Sequence, residues 1–117
     1  MNNKLQIKGT QEFLGVNIPV IHGGFGEDKK VILAKTVAEI HEMEVKHVNE
    51  LINNNIDEFE FGIDILDLKG SEYFKVITIN LGINVSNRTK NFYLLSEQGY
   101  LKFYSLIRNK NENILFN

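Results

Sequence analysis

Apolar residues in the first third of the chain recur at every second position. Leu5 and Ile7 alternate with Gln6 and Lys8 until Gly9-Thr10 interrupts the run. Val16, Ile18 and Val20 then alternate with Asn17 and Pro19, the period of a half-buried strand. Proline has no N–H to give a ladder, so this strand is expected at a sheet edge or paired on one side at Pro19. His22-Gly-Gly-Phe-Gly-Glu-Asp28 is turn chemistry, and Lys30-Val-Ile-Leu33 resumes an extended course. Residues 12–33 read as a β-hairpin.

The period changes at Ala34. Val37 and Ile40 mark the inward face of a helix over about 34–41, and Glu42-Met43 makes a turn. Val45 or Val48, with Leu51 and Ile52, marks a second helix over about 44–53. Asn53-Asn-Asn55 suits a helix end, because asparagine tolerates the left-handed conformation found there. Phe59 and Phe61 flank Glu60, and Ile63-Asp-Ile-Leu-Asp-Leu68 reads as a strand with imperfect alternation. Tyr73, Phe74, Ile77 and Leu81 have near-helical spacing over Glu72–Leu81, although the β-branched residues there favour a strand. Residues 85–90 read as a polar loop or hairpin tip leading into a strand over 91–95. Ser96 is placed to cap a closing helix, with Glu97 in its first turn and Tyr100, Phe103, Tyr104 and Ile107 as its apolar stripe. The tail 109–117 is expected to fray or dock weakly.

These elements define an α+β fold. It comprises an N-terminal β-hairpin, a helix-turn-helix-like pair, a further strand region and a closing C-terminal helix, in one compact domain over 1–117 with its ordered part at about 6–107. The expected core includes Val37, Ile40, Val48, Leu51, Phe61, Leu95, Phe103 and Ile107. A length of 117 residues suits one domain, and 43% hydrophobic with 24% charged residues is ordinary for a globular protein. No apolar run approaches the roughly 18 residues that cross a bilayer, and Met1-Asn-Asn-Lys-Leu-Gln6 lacks a secretory core. With no cysteine and no need of an oxidising compartment, the cytoplasm of a bacterial host cell is the expected location. The fifteen asparagines, alongside abundant Ile and Lys, fit an AT-rich genome.

Catalysis finds little support. Gly23-Gly-Phe-Gly26 lacks the Lys-Ser/Thr of a phosphate loop and sits in a hairpin. His22, His41 and His47 have no metal-ligand spacing, and no nucleophile or base accompanies Asp57, Glu58 and Glu60. No cofactor or metal is expected, and the protein is read as a non-enzyme.

Binding has a better case. Two short helices joined by a tight turn are the arrangement by which many small proteins present a helix to DNA. On the second helix Lys46, His47, Asn49 and Asn53 lie outward, with Asn suited to adenine edges and Lys to phosphates. Arg88 and Lys90 sit before the last strand, where a winged helix carries its wing. Against duplex DNA as partner stand Glu44, Glu50 and a net charge of −2. Exposed helices also carry Lys and Asn simply for solubility. The charge is uneven, however, since residues 51–70 hold Asp57, Glu58, Glu60, Asp64 and Asp67 against Lys69 alone. An acidic surface of that kind fits a basic protein partner.

Val31-Ile-Leu-Ala34, Ile40-His41, Lys46-His-Val-Asn49, Asn53-Asn-Asn55, Phe59, Phe61 and Tyr93-Leu-Leu-Ser-Glu-Gln-Gly-Tyr100 resemble the ORF6N domain of phages, an N-terminal domain related to the KilA N-terminal module. The resemblance spans about residues 6–107 and is strongest over 31–69 and 91–104. It implies a phage or prophage regulator of the antirepressor kind with DNA binding. The family often has a second domain, and a helix-turn-helix often has Gly where Glu42 stands. The alternative is a protein inhibitor of a repressor or of a host defence complex such as a CRISPR nuclease, using Asp57, Glu58, Glu60, Asp64 and Asp67.

Overall fold

A computed structural model describes residues 5–13, 15–25, 29–85 and 90–116. Strands β1 (Gln6–Phe13), β2 (Val16–His22) and β3 (Lys30–Leu33) precede helices α1 (Ala34–Ile40) and α2 (Val45–Asn54). A single 3-10 turn (Ile56–Glu58), β4 (Ile65–Asp67), α3 (Glu72–Leu81), β5 (Tyr93–Ser96) and α4 (Glu97–Phe116) follow. The strands form one antiparallel sheet in the order β1-β2-β3-β5-β4.

β5 lies inside the sheet and all four of its residues are buried. Its alternate side chains supply two separate cores, which is why it reads as a continuous apolar run rather than an alternating one. Tyr93 and Leu95 join Val37, Val48, Ile52, Ile65 and Phe103 beneath α1, α2 and α4. Phe92 and Leu94 join Ile21, Val31, Leu33, Leu68 and Ile77 of α3 on the other face. The fold is therefore α+β in three layers.

The sequence-based hairpin over 12–33 is one part of a longer meander. β1 continues through Gly9-Thr10 to Phe13, because a bulge between Ile7 and Gly9 absorbs the break in alternation. Pro19 faces Thr10 of β1, while β2 pairs with β3 only at Ile21 and His22, so the proline sits where one side of the strand is unpaired.

α1, α2 and α3 match their expected ranges closely. α3 prevails over its β-branched residues because Ser71 accepts the Tyr73 N–H and Gly82 closes the other end with φ +65°. The strand expected over 63–68 is confined to Ile65–Asp67, since residues 60–64 fold into a hydrogen-bonded loop. Phe61, expected in the core, is 56% exposed on that loop. Ile40, Leu51 and Ile107 are half-buried at the core's margin rather than inside it. The tail expected to fray continues α4 as helix to Phe116. Among the described residues no helix is long and apolar enough to cross a membrane.

Candidate nucleic-acid interface on α2 and the loop before β5

The turn between α1 and α2 is tight despite lacking glycine. The Met43 N–H reaches back to the Ala38 carbonyl (2.8 Å) and the Glu42 N–H to that of Glu39 (3.4 Å), closing α1 in the double bond pattern of a Schellman end. That pattern needs a left-handed residue, and Glu42 adopts φ +54° to supply it. Met43 then packs against the core beside Val37 and Val48. α2 therefore leaves the turn with its direction fixed, burying Val48 and Ile52 and exposing Lys46, His47, Glu50, Asn53 and Asn54.

One side of α2 is bolted to the loop preceding β5. The Tyr93 hydroxyl donates to Asn53 Oδ1 (2.5 Å), Asn53 Nδ2 donates to Asn91 Oδ1 (3.1 Å), and Asn91 Nδ2 donates to Asp67 Oδ2 (2.9 Å). The other oxygen of Asp67 accepts the Phe92 and Lys69 N–H groups, each at 3.0 Å. An ionised carboxylate can only accept, so Asp67 fixes the orientation of both amides and leaves Tyr93 as the donor at the far end. Asn49 Nδ2 adds a longer bond to the Asn91 carbonyl at 3.5 Å. Burial, assisted by the negative charge of Asp67, raises the Tyr93 pKa, which keeps its hydroxyl a donor.

This arrangement sorts the sequence-based candidates. Lys46 and His47 are free-standing on the exposed side of α2. Asn49 and Asn53 turn toward the loop, and their amides hold α2 to Asn91. Lys90 is exposed next to Asn91, so the bridge brings it alongside α2. Arg88 lies outside the described residues. Sequence reasoning missed Asn91 and Tyr93 as bridge residues; their signal is the Asn-x-Tyr spacing, which sets Asn91 two residues ahead of β5 and Tyr93 at its start, both turned toward Asn53. Glu42, Glu44 and Glu50 share the helix pair's surface and set a negative potential against Lys46.

Of the acidic candidates, Asp57, Glu58 and Glu60 are exposed. Asp67 is engaged in the bridge just described. Asp64 is fully buried, so it cannot meet a partner. Its Oδ2 accepts the Glu60 N–H (2.8 Å) and Lys102 Nζ (2.5 Å), and its backbone carbonyl accepts the Ser96 N–H (3.0 Å). Ser96 in turn caps α4 by accepting the Gly99 N–H (3.1 Å) and donates to the Ile63 carbonyl (2.7 Å). Gly99 is required by contact, since a Cβ there would stand 2.0 Å from the Asp64 oxygen. The Leu-Ser-Glu-Gln-Gly element of the sequence is thus the seam joining α4 to the 60–64 loop.

At the end of α1, His41 Nε2 meets the Tyr100 hydroxyl at 2.8 Å, and its ring lies 5.8 Å from Tyr100 and 5.9 Å from Tyr104. Burial lowers the His41 pKa, while burial and the neighbouring Tyr104 raise that of Tyr100. Among the described residues no three His, Asp or Glu side chains converge as metal ligands.

A helix pair of fixed direction, laid on an antiparallel sheet and bolted to the loop before β5, is the framework of this small α+β domain. The family model of the ORF6N domain matches residues 26–106, and the chain belongs to that family. Membership places it among phage-type regulatory proteins. No curated protein and no solved structure shows a significant match.

Proposed function

We propose that the protein is a phage or prophage regulator of the antirepressor kind that binds duplex DNA through α2 and the loop before β5. The observation that carries this reading is the Tyr93-Asn53-Asn91-Asp67 bridge, which assembles a helix and a loop into one surface of fixed geometry. A helix fits the major groove, and a cation on an adjacent loop reaches the flanking phosphate backbone. Lys46 and His47 are the contacts offered by α2, and Lys90 is that of the loop. Asn49 and Asn53 act here by positioning, because a base-edge contact would compete with their bonds to Asn91. Membership of the ORF6N family supports the same reading. Glu42, Glu44 and Glu50 oppose phosphate approach, so affinity is modest and depends on few cations.

The test is an anisotropy titration of duplex DNA across about 50–200 mM salt. Lys46→Ala and Lys90→Ala should each weaken binding on all sequences and reduce the slope of log K against log salt by about 1. Glu50→Gln should strengthen binding. Affinities and slopes unchanged in all three variants would refute the assignment.

A further inference from the structure

The geometry points to a second interaction surface, formed by the 57–63 segment and the first turns of α4, that receives a basic amphipathic segment of a protein partner. It does not depend on DNA binding. Phe61, Ile63 and Leu101 are 56%, 46% and 58% exposed. Ile63 and Leu101 face one cleft of about 460 Å³, whose wall also includes half-buried Phe25. Exposed apolar side chains gathered around a concavity mark a contact site better than the same residues scattered singly.

The loop that presents them is held rigid. The Ile63 and Asp64 N–H groups bond the Glu60 carbonyl at 3.1 and 2.8 Å, and the Gly62 N–H bonds that of Ile65 at 2.9 Å. Ser96 Oγ holds the Ile63 carbonyl, Lys102 holds the Glu58 carbonyl at 3.0 Å, and the buried Asp64 carboxylate ties the loop to Lys102. The bonds that seat Phe59 in the core and close the seam with α4 also give the exposed Phe61 and Ile63 a fixed presentation. It is the preorganisation that a contact site needs, because ordering costs are already met before a partner arrives.

Charge selects the partner. Asp57, Glu58 and Glu60 precede or interleave the apolar residues, and Glu97 lies on the cleft wall, all exposed. Lys29 and Lys30 line the same cleft, and the charge of Lys102 is offset by Asp64. Over the 57–63 segment and the cleft together, four exposed carboxylates outnumber two exposed ammonium groups, and with Phe61, Ile63 and Leu101 they complement a segment with an apolar face flanked by Lys or Arg. This surface meets β5 at its Ser96 end and the candidate DNA surface meets it at its Asn91 end, so the two lie at opposite ends of the β4-β5 ladder.

The test uses the whole chain and a synthetic 18-residue helical peptide with Leu along one face and Lys elsewhere. Controls replace every Lys by Glu, or every Leu by Ser. The Leu/Lys peptide should bind, shifting the NMR amide signals of 60–63 and 98–102, and neither control should. Phe61→Ser and the pair Glu58→Lys/Glu60→Lys should each weaken binding at least tenfold, with thermal midpoints near that of the parent. If Phe61→Ser fails to fold, Leu101→Ser on the exposed side of α4 reads the same patch. Equal binding by the Glu control or by both variants would overturn the proposal. So would a dimer of the protein alone that Phe61→Ser dissociates, since a second copy would then be the occupant.

Discussion

Gly99→Ala sets helix propensity against packing, and the two predict opposite signs. In the first turn of a helix Ala is favoured over Gly by up to about 1 kcal/mol, so propensity alone predicts a more stable protein. The structure predicts the reverse. The new Cβ would lie 2.0 Å from the Asp64 oxygen, 2.8 Å from its carbonyl carbon and 3.2 Å from its Cα. These are backbone atoms of a fully buried residue, so relief requires α4 and the 60–64 loop to separate by more than an ångström. Overpacking of this kind costs about 1–3 kcal/mol. Separation also lengthens the Ser96 N–H bond (3.0 Å) and the Ser96 Oγ contact (3.3 Å) to the same carbonyl. Each such bond contributes about 0.5–1.5 kcal/mol. After subtracting the propensity gain, the net loss is about 1–5 kcal/mol, a fall in thermal midpoint on the order of 10 °C for a domain of this size. Urea denaturation followed by circular dichroism measures it, with Gln98→Ala on the exposed neighbour as a control expected within about 0.5 kcal/mol of the parent. A Gly99→Ala protein as stable as the parent, or more so, would show that the seam between α4 and Asp64 is not closed as described.

Three further outcomes follow from named contacts. Glu42→Gly should stabilise by up to about 1 kcal/mol, because relief of the left-handed backbone outweighs the entropy that glycine adds to the unfolded chain; chemical denaturation reads it, and a loss would mean that Glu42 is not strained. Asn91→Ala should raise amide hydrogen exchange over 90–92 and at the end of α2 together, since one side chain joins Asn53 to Asp67; faster exchange in only one of the two would break the bridge argument. His41 has its pKa held below 6.5 by burial, so the folded protein binds fewer protons there than the unfolded chain does. Stability should therefore fall as pH drops from 6.5 through the depressed value, and His41→Gln should reduce that fall; superimposable pH profiles for parent and variant would contradict it.

Much of the architecture was legible from periodicity. The apolar spacing at Val37, Val48 and Ile52 located the helix pair, and Ser96 before Glu97 located the start of α4. What escaped the pattern has physical causes. From sequence Phe61 reads as a core residue, because an aromatic beside Phe59 in an alternating run normally points inward. The turn bonds of 60–64 break that alternation and turn it outward. Asp64 was read as a surface charge, as a lone aspartate usually is, and only the chain's return as α4 brings Lys102 to neutralise it. Asn49 and Asn53 lie on the border between the buried and exposed stripes of α2. Whether such residues face solvent or a neighbouring loop depends on where Asn91 sits, which no local pattern records. The Gly9-Thr10 break concealed the bulge that lets β1 continue.

We propose above that α2 and the loop before β5 form one DNA-binding surface. Titrating a short duplex into the isotopically labelled protein and following amide shifts tests it most directly. Saturable shifts are expected at Lys46–Asn54 and Lys90–Asn91, with 57–63 and the first turns of α4 unmoved. Shifts centred on 57–63, or none at DNA concentrations where salt-dependent binding is already measurable, would contradict it.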